Sequence, residues 1–411
     1  MTYTPSTKPG FTALYAVGYV GAYIALITPV ATTLALKVAE LDPAGKEASL
    51  GAISAIGALV AIVSNAFTGA LSDRTQSRLG RRRPWIVGGA LGGVVALAIV
   101  GFAPTMVVAT IGWVLAQLTL NMVLAALQAL LPDQIPLEKR ARVSAVLGIS
   151  QQVSPLLGIG IAFGVQAAGG GIGLMFLVPG VVGAIMLIVL VARIRDVPHD
   201  APLPFSWREF IAGFRIEKGK RYDFGWAWFG RFFVILGFAV YTTYQVYFIA
   251  DRLGVSGPNV VLTQLYALIV FSIVLTGSAL VSGRLSDRTG RRKPFVFASA
   301  AIVGVGLSLL AFTDSLPMFF VAAAVMGVGI GAFFAVDLAL LTDVLPDKEN
   351  KAAKDMGIFN IANSLPQSVA PAIAPLFLAI GGSGNYTALF LAGGVFAVIG
   401  AILIAPIRVV K

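Results

Sequence analysis

The sequence predicts an all-α membrane protein, with twelve transmembrane helices in two pseudo-symmetric six-helix bundles. Three observations carry this. Hydrophobic residues make up 57% of the 411 and charged residues only 12%, against about 45–50% and about 25% in ordinary soluble chains. The apolar residues fall into twelve runs, each about as long as the twenty or so residues that cross a bilayer. A loop motif also occurs twice, once in each half of the chain. The same composition excludes disorder, a coiled coil and a disulfide-stapled secreted domain. There is no cysteine and a single histidine, His199, so thiolate chemistry and a multi-histidine metal site are excluded as well. No metal and no cofactor are expected.

The spans are read at 11–36, 49–71, 84–102, 106–131, 144–168, 173–192, 223–250, 260–283, 294–312, 316–341, 356–380 and 386–406. Helix 1 follows a polar N-terminal stretch. Its apolar run, about 26 residues, is too long for a signal-peptide core and is expected to stay as a span. Helix 2 ends in Gly69-Ala70-Leu71-Ser72-Asp73-Arg74-Thr75, and Gly80-Arg81-Arg82-Arg83-Pro84-Trp85 leads into helix 3. Helix 4 carries no charge but a stripe of amides, Gln117, Asn121 and Gln128, on one face. Helix 5 holds Gln151, Gln152 and Ser154 beside Pro155, Gly158 and Gly160, residues that permit bending and close packing. Helix 6 is uninterrupted apolar chain.

The segment 193–222 carries seven basic residues and is not a span. Within it, Ser206 and Glu209 have capping-box spacing. Trp207, Phe210, Ile211 and Phe214 follow at helical spacing, as in a short amphipathic helix lying on the cytoplasmic membrane surface. Helix 7 places Arg231, Tyr241, Tyr244 and Gln245 in its span. Helix 8 ends at the second motif copy, Gly283 to Phe295. Helices 9 and 12 are apolar, and helix 10 contains Asp337. Helix 11 carries Asn360, Asn363, Ser364 and Gln367 at i, i+3, i+4 and i+7, with Pro366, Pro371 and Pro375. The expected domains are therefore an N-terminal bundle at 1–192, a linker at 193–222 and a C-terminal bundle at 223–411.

The net charge of +11 suggests nucleic acid until its placement is examined. Of the 30 lysines and arginines, 26 fall in the termini and alternate loops on one side, and three in the loops opposite. Arg231 alone lies within a span. The positive-inside rule places both termini in the cytoplasm, so the charge is a topology signal and no nucleic-acid partner is expected. An integral, multi-pass protein of the plasma membrane follows, its surroundings the lipid bilayer.

The two motif copies match at an offset of 214 residues over Ser-Asp-Arg-Thr and 210 over Gly-Arg-Arg. The first copy has four extra residues, Gln76 to Leu79. Leu130-Leu131 matches Leu340-Leu341, and Gly148-Ile149 matches Gly357-Ile358. Repeats of the same orientation imply a pseudo-two-fold along the membrane normal. The pattern G-x-L-S-D-R-x-G-R-R, ungapped at 283–292, resembles the signature loop of the major facilitator superfamily. The longer first copy resembles the sucrose and glycoside–cation symporters within it. The resemblance covers the whole chain and implies the major facilitator fold, with helices 1, 4, 7 and 10 around a central cavity. In that branch helix 4 is charged; here Gln128 stands near the place of its arginine.

The doubled loop is read as a gate latch built from Gly69, Asp73, Arg74, Gly80 and Arg81, and from Gly283, Asp287, Arg288, Gly290 and Arg291. The aspartates suit hydrogen bonds from a helix N-terminus, and the arginines suit carboxylates on the facing half. Asp337 and Arg231 are the two ionisable groups well inside spans, at about 9 and about 12 Å depth at 1.5 Å per residue. They are the proton-coupling candidates. Either Asp337 gains and loses a proton, or the two form a permanent structural ion pair. Gln117, Asn121, Gln128, Gln151, Tyr241, Tyr244, Gln245, Asn360, Asn363 and Gln367 are substrate-binding candidates, since amides and aromatic rings suit a hydroxyl-rich solute. The competing reading is interhelical bonding. No phosphate-binding loop occurs, so ATP does not drive the protein. The expectation is a secondary transporter and not an enzyme. It moves a small molecule, a sugar or glycoside, with protons or another cation by alternating access, as a monomer. The alternative is a proton-driven exporter of amphipathic compounds.

Overall fold

A computed structural model describes residues 10–194, 196, 221–344, 352–382 and 384–408. The amphipathic helix expected at 206–214 and His199 lie outside the described residues. The chain divides into two compact units, Met1–Phe205 and Ser206–Lys411. Among the described residues each unit holds six helical rods and no strand.

In the first unit, α1 spans Phe11–Leu41 with a π-helical turn at Pro29–Thr33. Pro29 has no N–H to give the preceding turn, and the ladder is re-joined by Leu34 N–H donating to the Pro29 carbonyl. There follow α2 (Lys46–Ser72), α3 (Arg83–Gly101), α4 (Met106–Gln134), α5 (Leu137–Ala167) and α6 (Ile172–Val191). In the second unit, α7 begins at Arg221–Tyr247 and continues into a π-helical turn at Phe248–Arg252. The rest are α8 (Asn259–Thr289), α9 (Lys293–Ala311), α10 (Leu316–Val344), α11 (Ala352–Leu378) and α12 (Tyr386–Ile404).

Among the described residues, eleven of the twelve rods are long and apolar enough to cross a membrane. The other, α11, carries Asn363, Ser364, Gln367, Ser368 and three prolines along its length.

The sequence repeat is also a packing repeat. In the first unit α2 and α3 pack on α4, α1 packs on α5 and α6, and α3 packs on α6. In the second, α8 and α9 pack on α10, α7 packs on α11 and α12, and α9 packs on α12. Glycines set the closest approaches. A Cβ on Gly21 of α1 would lie 2.7 Å from the Gly183 carbonyl oxygen on α6. Gly237 of α7 meets Gly393 of α12 in the same way. Small residues permit such contact between helices that gain little from hydrophobic burial against lipid.

Several helix ends lie beyond the apolar runs. α8 continues through Arg284–Thr289, six residues past the expected end, and stops at Gly290 with φ +64°. α5 starts at Leu137 rather than 144, and α1 continues to Leu41 rather than 36.

Candidate functional site

The charged interior of the second unit is a triad on three helices. Arg231 of α7 pairs through Nη1 with Oδ2 of Asp337 on α10. Its Nε donates to Oδ1 of Asn363 on α11 at 2.8 Å. The guanidinium carbon lies 5.0 Å from the Phe359 ring centroid and 5.7 Å from that of Phe334. Arg231 is 8% exposed and Asp337 1%. Phe224, Val234, Phe333, Val336 and Leu340 form the surrounding core. Separating a buried pair of this kind by removing one partner costs about 3–5 kcal/mol. Contact with the rings returns about 0.5–2 kcal/mol.

The first unit solves the same position without charge. Gly21 and Gly183 match Gly237 and Gly393, so α1 aligns with α7 at an offset of 216. At that offset Arg231 corresponds to Tyr15. Asp337 corresponds to Leu127 at the 210 offset of α4, and Asn363 to Ser154 at the 209 offset of α5. Tyr15 is fully buried and its hydroxyl donates to the Leu127 carbonyl. Ser154 donates to the Ser150 carbonyl within its own helix.

The uncharged polar candidates divide into two groups. Gln117 and Asn121 are buried, with Asn121 Nδ2 donating to both the carbonyl and Oε1 of Gln117 at 2.9 Å. Gln245 donates to the Tyr241 hydroxyl at 2.8 Å, and both are buried. Tyr244 donates to the Pro371 carbonyl at 3.4 Å. That carbonyl is the one Pro375 cannot serve, four residues on, so Tyr244 repairs a gap in α11. Gln128, Gln151 and Gln367 are exposed. Gln367 donates to the Asn363 carbonyl at 3.4 Å, one turn from the triad. The side chain of Asn360 lies outside the described residues.

Sequence reasoning passed over a ladder of tyrosines on α1. Tyr15, Tyr19 and Tyr23 are buried, with successive ring centroids 5.6 Å apart. Their i, i+4, i+8 spacing was the available signal.

At the α2–α3 end the hub is Arg82, which the motif reading had not singled out. Its Nη2 reaches Asp73 Oδ1 at 2.5 Å, its Nε reaches Asp133 Oδ2 at 2.9 Å, and its Nη1 donates to the Ser72 hydroxyl. Arg81 also pairs with Asp133. These arginines thus meet carboxylates of their own unit. The helix N-terminus is capped by a different residue from the one expected. Asp196, not Asp73, accepts from Arg83 N–H at 2.8 Å and from Arg82 N–H. Gly80, with φ +97°, is required twice over: the left-handed backbone favours glycine, and a Cβ would collide with the Asp196 carboxyl.

The second copy is looser. Arg292 Nη1 stands 3.9 Å from Asp287 Oδ1, and Asp287 is mostly exposed. Lys293 donates to the Ile407 carbonyl as its counterpart Arg83 donates to Ile194. The residues Gly283, Arg288 and Asp287 lie on the last turns of α8 rather than in a loop.

Comparison with known proteins fixes what this arrangement belongs to. The family model described as Major Facilitator Superfamily matches residues 10–276 and 227–411. The chain belongs to the Major Facilitator Superfamily. Membership points to a multi-pass membrane transporter.

Among curated proteins it is similar to a general alpha-glucoside permease of Schizosaccharomyces pombe, 30% identical over 122 residues, 25% of this chain and 22% of the permease. It is also similar to the multidrug resistance protein MdtL of Shewanella oneidensis, 33% identical over 133 residues, 32% of this chain and 31% of MdtL. The matched stretches thus span under a third of either relative. Two solved structures share the superfamily fold. The nucleoside transporter NupG has a TM-score of 0.76 at 14% identity, covering 97% of this chain and 99% of that one. A bacterial homolog of the human lysosomal transporter Spinster has a TM-score of 0.72 at 16% identity, covering 97% of both chains.

Proposed function

We propose that this superfamily member is a proton-coupled secondary active transporter of a small polar solute of the sugar or glycoside class, and that Asp337 carries the coupling proton. It works as a monomer in the plasma membrane, with both termini in the cytoplasm. The observation that carries the reading is the Arg231–Asp337–Asn363 triad, which holds the one buried carboxylate among the described residues. A carboxylate in such a place is tolerated either paired or protonated, so exchange between these two states is a means of moving a proton. Similarity of part of the chain to an alpha-glucoside permease supports the solute class. The exposed amides Gln128, Gln151 and Gln367 offer hydroxyl-binding groups.

The doubled loop serves as the gate. The Asp73–Arg82–Asp133 network holds α2, α3 and α4 together at one end, and Asp287 and Arg292 take the matching places in the second unit.

A second reading, proton-driven export of amphipathic compounds, is favoured by the aromatic lining around Arg231 and by the partial similarity to MdtL.

The test is uptake by proteoliposomes across a panel of sugars and lipophilic cations under an imposed pH gradient. Asp337→Asn is expected to abolish accumulation while leaving binding and downhill exchange in place. Accumulation at the wild-type level in that variant would remove Asp337 from the mechanism. Proton-driven extrusion of the cations without sugar uptake would select the second reading.

A further inference from the structure

The charge balance of the triad narrows the solute class, given that Asp337 carries the proton as proposed above. Apart from Arg231, the described side chains of the helices packed around Asp337 bring no other charge to it. α8 from 259 to 283, α9 from 294 to 311 and α11 from 361 to 378 contain no aspartate, glutamate, lysine, arginine or histidine. Tyr266 is their one ionisable side chain, and it is exposed. Within its span, from 224 to 250, α7 adds only Tyr241, Tyr244 and Tyr247 to Arg231. The triad is therefore neutral when Asp337 is ionised and carries one positive charge when a proton from bulk water binds there.

Protonation of Asp337 takes the counter-ion from Arg231, which is 8% exposed in the structure. The rings of Phe334 and Phe359 do not replace a carboxylate. The guanidinium keeps its Nε bond to Asn363, so its Nη1 side stays aimed toward the Asp337 carboxyl, which once protonated no longer neutralises it. A planar fork held in this way is suited to an incoming carboxylate. Asn363 is half-buried and Gln367, one turn along α11, is exposed, so polar groups lead from the surface of α11 toward Arg231.

We infer that the transported solute is a hydroxylated monocarboxylate of the sugar-acid type, whose carboxylate pairs with Arg231 while Asp337 holds the proton. The loaded site is then neutral, and each cycle moves one proton and one monoanion with no net charge. The neutral counterpart of this site in the first unit, Tyr15 with the Leu127 carbonyl, provides no such anion site.

The experiment uses the purified full chain in proteoliposomes, with labelled gluconate, labelled glucuronate and labelled methyl α-glucoside as probes. The pH gradient and the membrane potential are imposed independently, the latter with potassium and valinomycin. The expected result is accumulation of at least one acid driven by the pH gradient, its initial rate changing less than about twofold across about 100 mV, since no net charge crosses the field. Arg231→Lys keeps the charge but loses the fork, and should lower acid uptake at least about tenfold while still folding. No pH-driven uptake of either acid at any potential overturns the inference, as does acid uptake that is accelerated by an inside-negative potential. The two proposals fail separately. Proton-driven, potential-driven uptake of methyl α-glucoside that is lost in Asp337→Asn would leave the coupling role standing and sink only the carboxylate. Wild-type accumulation in Asp337→Asn would sink both.

Discussion

At Arg231 and Asp337, two copies of one architecture reach opposite answers to the same problem. A cation and an anion in the second unit occupy the places of a tyrosine and a leucine in the first. The first unit shows that the position packs well without charge, so the ions are not required by the fold. Buried ion pairs are often no more stabilising than apolar residues of similar volume. The double substitution Arg231→Tyr with Asp337→Leu transplants the first unit's residues. Its thermal midpoint in detergent should lie close to the wild type, within the roughly 1.5 kcal/mol typical of volume-conserving core changes. Arg231→Gln alone leaves the Asp337 carboxylate without its cation and should destabilise by about 3–5 kcal/mol. If the double variant is as unstable as the single one, the pair is structural and its role in coupling loses its main support.

At the scale of the helix, the contrast between Gly158 and Gly160 on α5 separates contact from propensity. A Cβ on Gly158 would run into the Thr28 hydroxyl of α1, which is buried and already donates to the Ile24 carbonyl at 2.7 Å. Gly160 has nothing within 4 Å of where its Cβ would be. Gly158→Ala should cost about 1–3 kcal/mol by forcing α1 and α5 apart. Gly160→Ala should be neutral or stabilise by up to about 1 kcal/mol through helix propensity alone. Equal thermal shifts in the two variants would show that the α1–α5 contact is not as close as the geometry gives it. The two glycines are indistinguishable in sequence, which marks a general limit. Hydropathy reports which residues face lipid, so it located the spans. It does not report where a helix ends beyond the lipid, so the charged turns Leu137–Val143 of α5 and Arg284–Thr289 of α8 were read as loops. Periodicity placed Gln117 and Asn121 on one face but could not tell a pair bonded to each other from a pair open to solute. Asp196 lies over a hundred residues from the turn it caps, and nothing local to it signals that role.

At the scale of the whole molecule, orientation rests on charge, because each unit has the same packing and neither is marked as inner or outer by its helices. The 26-to-3 division of basic residues between alternate loops is the argument, and its energy comes from the cost of moving Lys and Arg across the bilayer. The prediction is that the α2–α3 turn, with five arginines from Arg74 to Arg83, is cytoplasmic, and that the α7–α8 turn is external. Gln76 and Ser256 are exposed residues in these two turns, and the chain has no native cysteine to confuse labelling. In intact cells an impermeant maleimide should label Ser256→Cys and leave Gln76→Cys untouched; in inside-out vesicles the pattern should reverse. The same turn holds the Arg82 network, so the labelling result also decides which side that gate serves. Labelling of Gln76→Cys from outside would place the tight Asp73–Arg82–Asp133 network at the outer end, and the gate assigned to the cytoplasmic side would have to be sought elsewhere. Labelling of both positions from one side would mean that an even number of helices crosses between them, which singles out α3 to α7 for a recount.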